Sequence, residues 1–530
     1  SYIHEVFGPT QSNIAPVRSK DDSVIFKDAK SIRDRWKEHY SELLNRESSV
    51  VDSYIDQVEQ LPEISSLGDC PTRDEVAEAI KGLNTGKSPG ADGLEAEILQ
   101  AGGDKMIDLL HKIISYDWEK EDIPQEWIDA TLVSLYKSGP RDQCGNFRGI
   151  SLLSVVGKVL SRVLLNRLVR EIADNALPES QCGFRANRGT NDMIFTARQL
   201  QEKCIEQNLD LYHCFVDLSK AFDTVNREAL WKVLSKCGCP EKFIKMFRCF
   251  HDGMQARINF GGDLSDPFSV ENGVKQGDIS AAVLFAIYFA AMLQVAFLNE
   301  SGGIQIRYRT DKSDGNVFKL ARLRKKNTVF YTLVRDLLYA DDADLVSHTV
   351  EGLQSLMSSF DTTAEAFGLS INQKKTVVMF QPAPGQPYVK PDIFVKGTAL
   401  KVVDHFEYLG STLHRTGSLD KEISSRIQKA AASFGNLEER VWKQRGISVV
   451  TKIAVYRAFV LTSLLYSAET WTTYARHVKQ LERFHQKCIR RILGIKWTSF
   501  TPDTDVLSKA NMPSISSLLL KSRLRWAGHL

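Results

Sequence analysis

Two adjacent aspartates, Asp341 and Asp342 in the run Tyr339-Ala340-Asp341-Asp342, lie between the apolar pairs Leu337-Leu338 and Leu345-Val346. Two carboxylates about 4 Å apart repel by roughly 4 kcal/mol at an effective dielectric of about 20, so the arrangement asks for a cation. Hard oxygen ligands favour Mg2+, the usual partner of phosphates. In a flat strand the two side chains would face opposite sides, so both reach one site only if the chain turns tightly between them. The competing reading is an exposed acidic turn, because Asp is common in turns. A third carboxylate, Asp217, ends the apolar run Tyr212-His213-Cys214-Phe215-Val216 and is followed by Leu218-Ser219-Lys220-Ala221-Phe222-Asp223. Three such groups could complete a two-cation site for in-line attack on phosphorus.

The elements that would position these groups are legible from spacing. Thr131 to Tyr136 and Tyr212 to Leu218 read as strands, the second running straight into Asp217. Ile32, Trp36, Tyr40, Leu43 and Leu44 recur at helical spacing. Thr72 and Glu75 form a capping box for a helix carrying Val76, Ile80 and Leu83 and expected to end near Gly86. Val155 to Val169 reads as a helix, and Ile423 to about Ile495 is helical with aromatics such as Trp442, Tyr456, Tyr466, Trp471 and Phe484, which at that spacing are read as core. Pro382 to Pro391 is the best candidate for a linker-like break. Gly86-Lys87-Ser88 looks superficially like a phosphate loop, but Gly82 is one residue too close and a helix precedes it where a strand is needed.

At 530 residues and 43% hydrophobic, the chain can build two to four domains with ordinary cores. The net charge of +3 hides an asymmetry: residues 421 to 530 hold 19 Lys/Arg against 7 Asp/Glu, a local +12 that leaves −9 for the remainder. A basic C-terminal part suits a polyanion. Nine irregularly spaced cysteines and no signal peptide read as reduced thiols in an intracellular protein. Cys237, Cys239, Cys249 and His251 lack the Cys-x-x-Cys pairing of a zinc site. Ala281 to Leu298 is apolar apart from Gln294, without basic flanks, and reads as a buried core helix and not a membrane span. Ser1 and Leu530 both read as cut ends.

With these residues in place, the sequence resembles the reverse transcriptases of non-LTR retrotransposons. Phe215 to Asp223 and Tyr339 to Asp342 resemble the two catalytic motifs. Six further words follow the family's order: Gly86 to Gly93, Asn146 to Leu153, Gln181 to Arg185, Gly273 to Gly277, Gly368 to Thr376 and Phe406 to Gly410. The spacer Ile306-Arg307-Tyr308-Arg309-Thr310 and the ending Leu524 to His529 look most like the RTE-type branch. The resemblance implies an α+β right-hand polymerase: an N-terminal extension over 1–70, fingers 71–205, palm 206–400 with an antiparallel sheet, primer grip and helical thumb 401–500, and the start of a C-terminal linker region at 501–530.

It also implies an RNA-directed DNA polymerase that extends a DNA 3′-hydroxyl on an RNA template with dNTPs, in target-primed reverse transcription. Asp217, Asp341 and Asp342, with the Leu218 carbonyl, would hold two Mg2+, or Mn2+ in their place. Arg148, assisted by Lys137, would contact the incoming triphosphate. Phe222 would be the steric gate against a ribose 2′-hydroxyl, which argues against an RNA-dependent RNA polymerase. Gln276 and Gly277 would let the backbone approach nucleotide and template. Lys375, or Lys374, would be the general acid for pyrophosphate. Phe406, Tyr408, Leu409 and Gly410 would form the primer grip. Asp223 is read as a helix cap and Asp344 as a supporting or surface group. RNA template and DNA primer or target are the expected partners, with no membrane, and the nucleus is the expected site of integration, with a cytoplasmic RNA–protein complex as its precursor. The rival is an inactive RNA-binding relic or domesticated fragment. It draws on Asp278 to Ala282, where the family commonly has a proline soon after Gly277.

Overall fold

Helix α1, Ala29–Leu44, opens where the Asp28 side chain accepts a hydrogen bond from the Ser31 backbone, satisfying an orphan N–H of the first turn. The structure is a computed structural model that describes residues 16–46, 48–308 and 330–530; Arg309 and Thr310 of the spacer lie outside the described residues. The buried face of α1 is Ile32, Trp36 and Tyr40, three of the five positions that the periodicity marks. Trp36 meets Phe147 edge to face at 4.9 Å between ring centroids, and Tyr40 Oη lies 3.1 Å from Ser134 Oγ. Helix α2, Arg73–Lys81, has the expected capping box at Thr72 and Glu75 but ends four residues before Gly86 would allow, with Gly82 as its C-cap. Two things stop it: Gly82 has poor helical propensity, and the Gln100 side-chain amide, from a later segment, donates to the carbonyls of Ile80 and Leu83, so the helix need not continue.

Strands β1, Ala130–Tyr136, and β2, Phe147–Leu152, form an antiparallel pair, with Leu135 opposite Arg148. Helix α3, Val155–Leu168, and helix α4, Thr190–Gln207, follow. Strand β3, Leu211–Val216, is buried at all six positions, the pattern of a strand covered on both faces. It ends two residues short of the predicted Leu218, which instead forms a lone antiparallel bridge with Ile371. Strand β4, Gln255–Phe260, runs parallel to β1 and joins the sheet of β1 and β2. Helix α5, Ala281–Ala296, is buried at 14 of its 16 positions, so the long apolar segment is a core helix.

Strands β5, Asp336–Tyr339, and β6, Asp342–Ser347, make the hairpin that carries the paired aspartates, and helix α6, Val350–Ala366, returns behind the sheet. Strand β7, Val377–Gln381, and the short β8, Lys401–Val402, complete a five-stranded sheet in the order β5-β6-β3-β7-β8. All neighbours are antiparallel except β7 and β8, which pair in parallel through Val377 with Lys401 and Val378 with Val402. That pairing corrects the reading of Pro382 to Pro391 as a linker. The segment is part of the crossover that a parallel pair requires, pinned where Ala383 N donates to Asp210 Oδ1 at 2.7 Å and where Tyr388 stacks on Phe380.

Beyond the hairpin of β9, His405–Tyr408, and β10, Ser411–His414, the chain is helical. Helices α7, Asp420–Asn436, and α8, Ala475–Leu493, pack around a hydrophobic core of their own, with Trp442, Tyr456 and Trp471 buried in it as their spacing predicts, whereas Tyr466 lies outside it, its hydroxyl drawn to the Leu409 carbonyl. The intervening stretch Val449–Thr470 is long and apolar enough to cross a membrane, but Ile453, Tyr456, Val460 and Leu464 belong to this core. Helix α9, Ile515–His529, closes the chain, with Trp526 against Phe195 of α4 at 5.4 Å between rings.

A buried ion pair fastens α2 to α3. Arg167 donates to both carboxylate oxygens of Glu75 at 2.7 Å and to the carbonyls of Leu67, Asp69 and Cys70. Burial works against the charged form of Glu75, but bonds from Arg167 and the Thr72 backbone outweigh it and hold the group down at about 2, against 4.5 unperturbed. The stabilisation is therefore complete above about pH 4.5 and fades as pH falls toward 2. Urea unfolding across that window is expected to show the parent losing stability and Glu75→Gln losing less; an equal slope would remove Glu75 from the acid response. Arg167→Met, which takes the donor from a half-buried carboxylate and three carbonyls, is expected to cost roughly 1–3 kcal/mol.

Candidate active site

Register gathers the carboxylates. In the β3–β6 pair Ala343 lies opposite Val216, so one step outward Asp342, the first residue of β6, faces Asp217, the first residue after β3. In the hairpin Tyr339 pairs with Asp342, which leaves Ala340 and Asp341 as a two-residue turn. Ala340 takes φ +57°, a left-handed value that such turns demand and that glycine usually supplies. The tight turn that the adjacent aspartates require is thus present. Asp217 is fixed through its backbone: its N–H donates to Thr376 Oγ1 at 3.2 Å, and its carbonyl accepts from Asn372 N at 2.8 Å. Lys375 is the lysine that reaches it, with Nζ 3.5 Å from Asp217 Oδ2. Leu218 is buried.

Asp217, Asp342 and Lys375 line a cavity of about 300 Å3 together with Phe215, Phe406 and Tyr408. Burial, then the charges of Asp341 and Asp217, push the Asp342 carboxyl up to about 6. Burial also raises Asp341, against the opposing pull of Arg148 and Lys137. Those two cations come from β2 and from the residue after β1, so the strand pair presents positive charge to the carboxylates. Among the described residues, no three His, Cys, Asp or Glu side chains are already grouped closely enough to hold an ion as they stand. The donor chemistry nonetheless fits a hard divalent cation: oxygen donors whose own repulsion favours protonation until positive charge is supplied.

Around this centre stand the other residues expected at a nucleotide. Phe222 is half-buried and packs on Phe285 at 4.5 Å between ring centroids. Gln276 donates to Asp223 Oδ1 at 3.0 Å, and its carbonyl accepts from Ser151 N at 2.7 Å. Gly277 has φ +138°, and a Cβ there would lie 2.2 Å from the Ser151 carbonyl; the missing side chain admits β2 itself. Asp223 is not the helix cap that its position suggested. The following helix, Arg227–Lys236, is capped by Asn226, whose side chain accepts from Ala229 N, and Asp223 instead turns inward to Gln276. Burial pushes Asp223 up to about 6, opposed by Lys220 and Arg148. The altered segment after Gly277 is well held: Asp278 accepts from Ser161 Oγ at 2.6 Å and from Ser280 Oγ at 2.5 Å, just before α5 begins.

The β9–β10 hairpin turns on Leu409 and Gly410, both with positive φ, and lies under the carboxylates. Phe406 stacks on Phe215 at 4.2 Å, and the buried Tyr408 donates from its hydroxyl to the Leu337 carbonyl of β5 at 3.2 Å. Phe406 and Tyr408 thus touch the strand that leads into Asp217 and the hairpin that carries Asp342, as well as lining the cavity. Leu409 O accepts from Tyr466 Oη at 2.9 Å, and the Arg426 guanidinium reaches the Gly410 carbonyl. Asp344 is no surface group: it is fully buried and bonded to His213 Nδ1 at 2.7 Å, a pair placed behind Asp342. The sequence reading does not single out His213, although a lone polar residue in an otherwise apolar central strand is a signal. Nor does it give Gln181 a task, although that side chain is fully buried beside Ala340.

Comparison with known proteins identifies the family. The family described as reverse transcriptase (RNA-dependent DNA polymerase) matches residues 136–413. The chain is 24% identical over 438 residues to "RNA-directed DNA polymerase from mobile element jockey" of Drosophila funebris, covering 82% of this chain and 45% of that protein. It is 27% identical over 425 residues to "Putative 115 kDa protein in type-1 retrotransposable element R1DM" of Drosophila melanogaster, covering 79% and 38%. It is 23% identical over 437 residues to the R2 "Retrovirus-related Pol polyprotein" of Popillia japonica, covering 80% and 55%. The chain thus spans about half the length, or less, of these relatives. With strands of β3 and the aspartate hairpin in one sheet and more than half its length matched, the chain has the right-hand polymerase fold and belongs to the reverse transcriptase family, as a domain of the non-LTR retrotransposon kind.

Proposed function

We propose that this chain copies RNA into DNA, adding deoxynucleotides to a DNA 3′-hydroxyl along an RNA template. The observation that carries the reading is the placement of Asp342 across from Asp217, with Asp341 in the adjoining turn and Arg148 and Lys137 facing them. Asp217, Asp341, Asp342 and the Leu218 carbonyl would hold two Mg2+ or Mn2+ ions. When bound, these supply positive charge at the attacking and leaving oxygens of in-line phosphoryl transfer. Arg148 grips the triphosphate with its planar fork, and Lys137 adds a point charge. Phe222, fixed by Phe285, presents a bulky edge where a 2′-hydroxyl would otherwise sit. Lys375 delivers a proton to the departing pyrophosphate. The basic helices after residue 420 grip duplex phosphates, a sequence-independent contact.

In a retrotransposon such a domain would act on the element's own RNA and a nicked chromosomal target, in the nucleus. The RTE-type spelling of Leu524 to His529 supports that branch.

Primer extension on a short RNA template with dNTPs and Mg2+ is the test. Asp341→Ala and Asp342→Ala are each expected to lower extension by at least about a hundredfold. An inert parent that still binds RNA would favour the relic. Phe222→Val is expected to raise ribonucleotide incorporation by about tenfold or more while dNTP use persists. Unchanged sugar discrimination would remove Phe222 from the gate.

A further inference from the structure

The word Gln181-Cys182-Gly183-Phe184-Arg185 has no part in the chemistry proposed above, yet it borders the aspartate turn. It lies along β5, the outermost strand of the five-stranded sheet. Gln181 forms a parallel bridge with Leu338; Cys182 N donates to Leu338 O at 3.0 Å, and Leu338 N donates to Ser180 O at 2.9 Å. The Gln181 side chain is fully buried. Its Oε1 accepts from Ala340 N at 3.0 Å and Gly183 N at 2.9 Å, while its Nε2 donates to Ala340 O at 3.2 Å. One primary amide therefore satisfies both peptide groups of Ala340. Two N–H donors on one end and a carbonyl on the other admit only this orientation of the amide.

The neighbours are built around that contact. A Cβ on Gly183 would lie 2.3 Å from Ala340 N, so the approach needs glycine. Arg185, with its side chain mostly buried, donates to the carbonyls of Pro178 at 3.0 Å and Gln181 at 3.4 Å and closes the loop on itself. Ala340 needs such support. Its left-handed φ of +57° costs an alanine about 1–2 kcal/mol, and a two-residue hairpin turn that relaxed to negative φ would splay β5 from β6.

We propose that Gln181 is a positioning residue for the catalytic carboxylates: it holds Ala340 in its left-handed conformation and so fixes where Asp341 stands relative to Asp342 and Asp217. The proposal rests on the polymerase reading of that site. Gln181 touches the turn peptide and acts only through it.

The test uses the full chain with two readouts, Mn2+ binding followed by electron paramagnetic resonance and steady-state primer extension. Gln181→Met keeps the bulk and loses all three hydrogen bonds. It is expected to weaken Mn2+ binding and lower kcat by about tenfold each, the scale of groups that orient metal ligands, with KM for dNTP little changed. Adding Ala340→Gly is expected to restore most of both losses, because glycine takes the left-handed conformation unaided. Parental Mn2+ affinity and turnover in Gln181→Met would overturn the proposal; so would losses that Ala340→Gly does not relieve, which mark a general folding role. If Gln181→Met fails to fold by circular dichroism, Gly183→Ala decides with the same readouts: weakened Mn2+ binding supports the clamp, parental values overturn it. Asp342→Ala is the separate control. Mn2+ binding unaltered in that variant overturns the metal-centre reading itself, whatever Gln181 does.

Discussion

Carboxylates that repel one another have to be held at one point by something stronger than their own preferences, and here that something is strand register. Ala343 opposite Val216 fixes Asp342 against Asp217, and a slip of one residue would send every side chain of β6 to the other face. The register is itself over-determined. Strand β3 is buried along its whole length, α5 and α6 cover the sheet, and the His213–Asp344 pair ties β3 to β6 by a side-chain bond inside the core. A misaligned β6 would bury Asp344 without its partner, a penalty well beyond that of a lost neutral contact.

The remaining parts of the site depend on that frame in turn. Tyr408 and Phe406 brace it from below through Leu337 and Phe215, while β1 and β2 bring Lys137 and Arg148 over it from above. Where β2 meets the segment 276–277 there is no room for a side chain: Gly277 abuts the Ser151 carbonyl, and Ser151 N donates to Gln276 O. The charges of Lys137 and Arg148 and the carboxylates are thus related by backbone contacts, which keep their distance with less play than long side chains would.

Much of this was legible in the residues. Alternation and apolar runs give β1, β3, α3 and α5, and the adjacency of Asp341 and Asp342 demands a tight turn that the structure contains. What was not legible depends on residues distant in sequence. Gly82 ends α2 because Gln100, eighteen positions on, satisfies its carbonyls. The proline-bounded stretch looks like a break because its return to pair with β7 as β8 leaves no local signal. Asp223 sits where a helix cap is plausible, and only the approach of Gln276 from another segment draws it inward, leaving Asn226 to cap. His213 and Gln181 share that property: each is an ordinary polar residue until its burial against a distant partner is seen.

The helical C-terminal part has a hydrophobic core separate from that of the sheet, and the turn at 466–469 meets α4 largely through polar groups. Asn191 bridges Glu469 and Ser467 at 2.7 Å each, and Tyr466 reaches Thr190 and Leu409 O. These bonds can open and re-form at small expense, because water replaces each one, whereas the neighbouring contact of Trp526 with Phe195 exposes apolar surface with every excursion. In the proposed reaction the product duplex would translocate by one nucleotide per cycle. Under the proposed function, a helical part joined to α4 through exchangeable hydrogen bonds would yield at each step without loosening the carboxylates it stands beside.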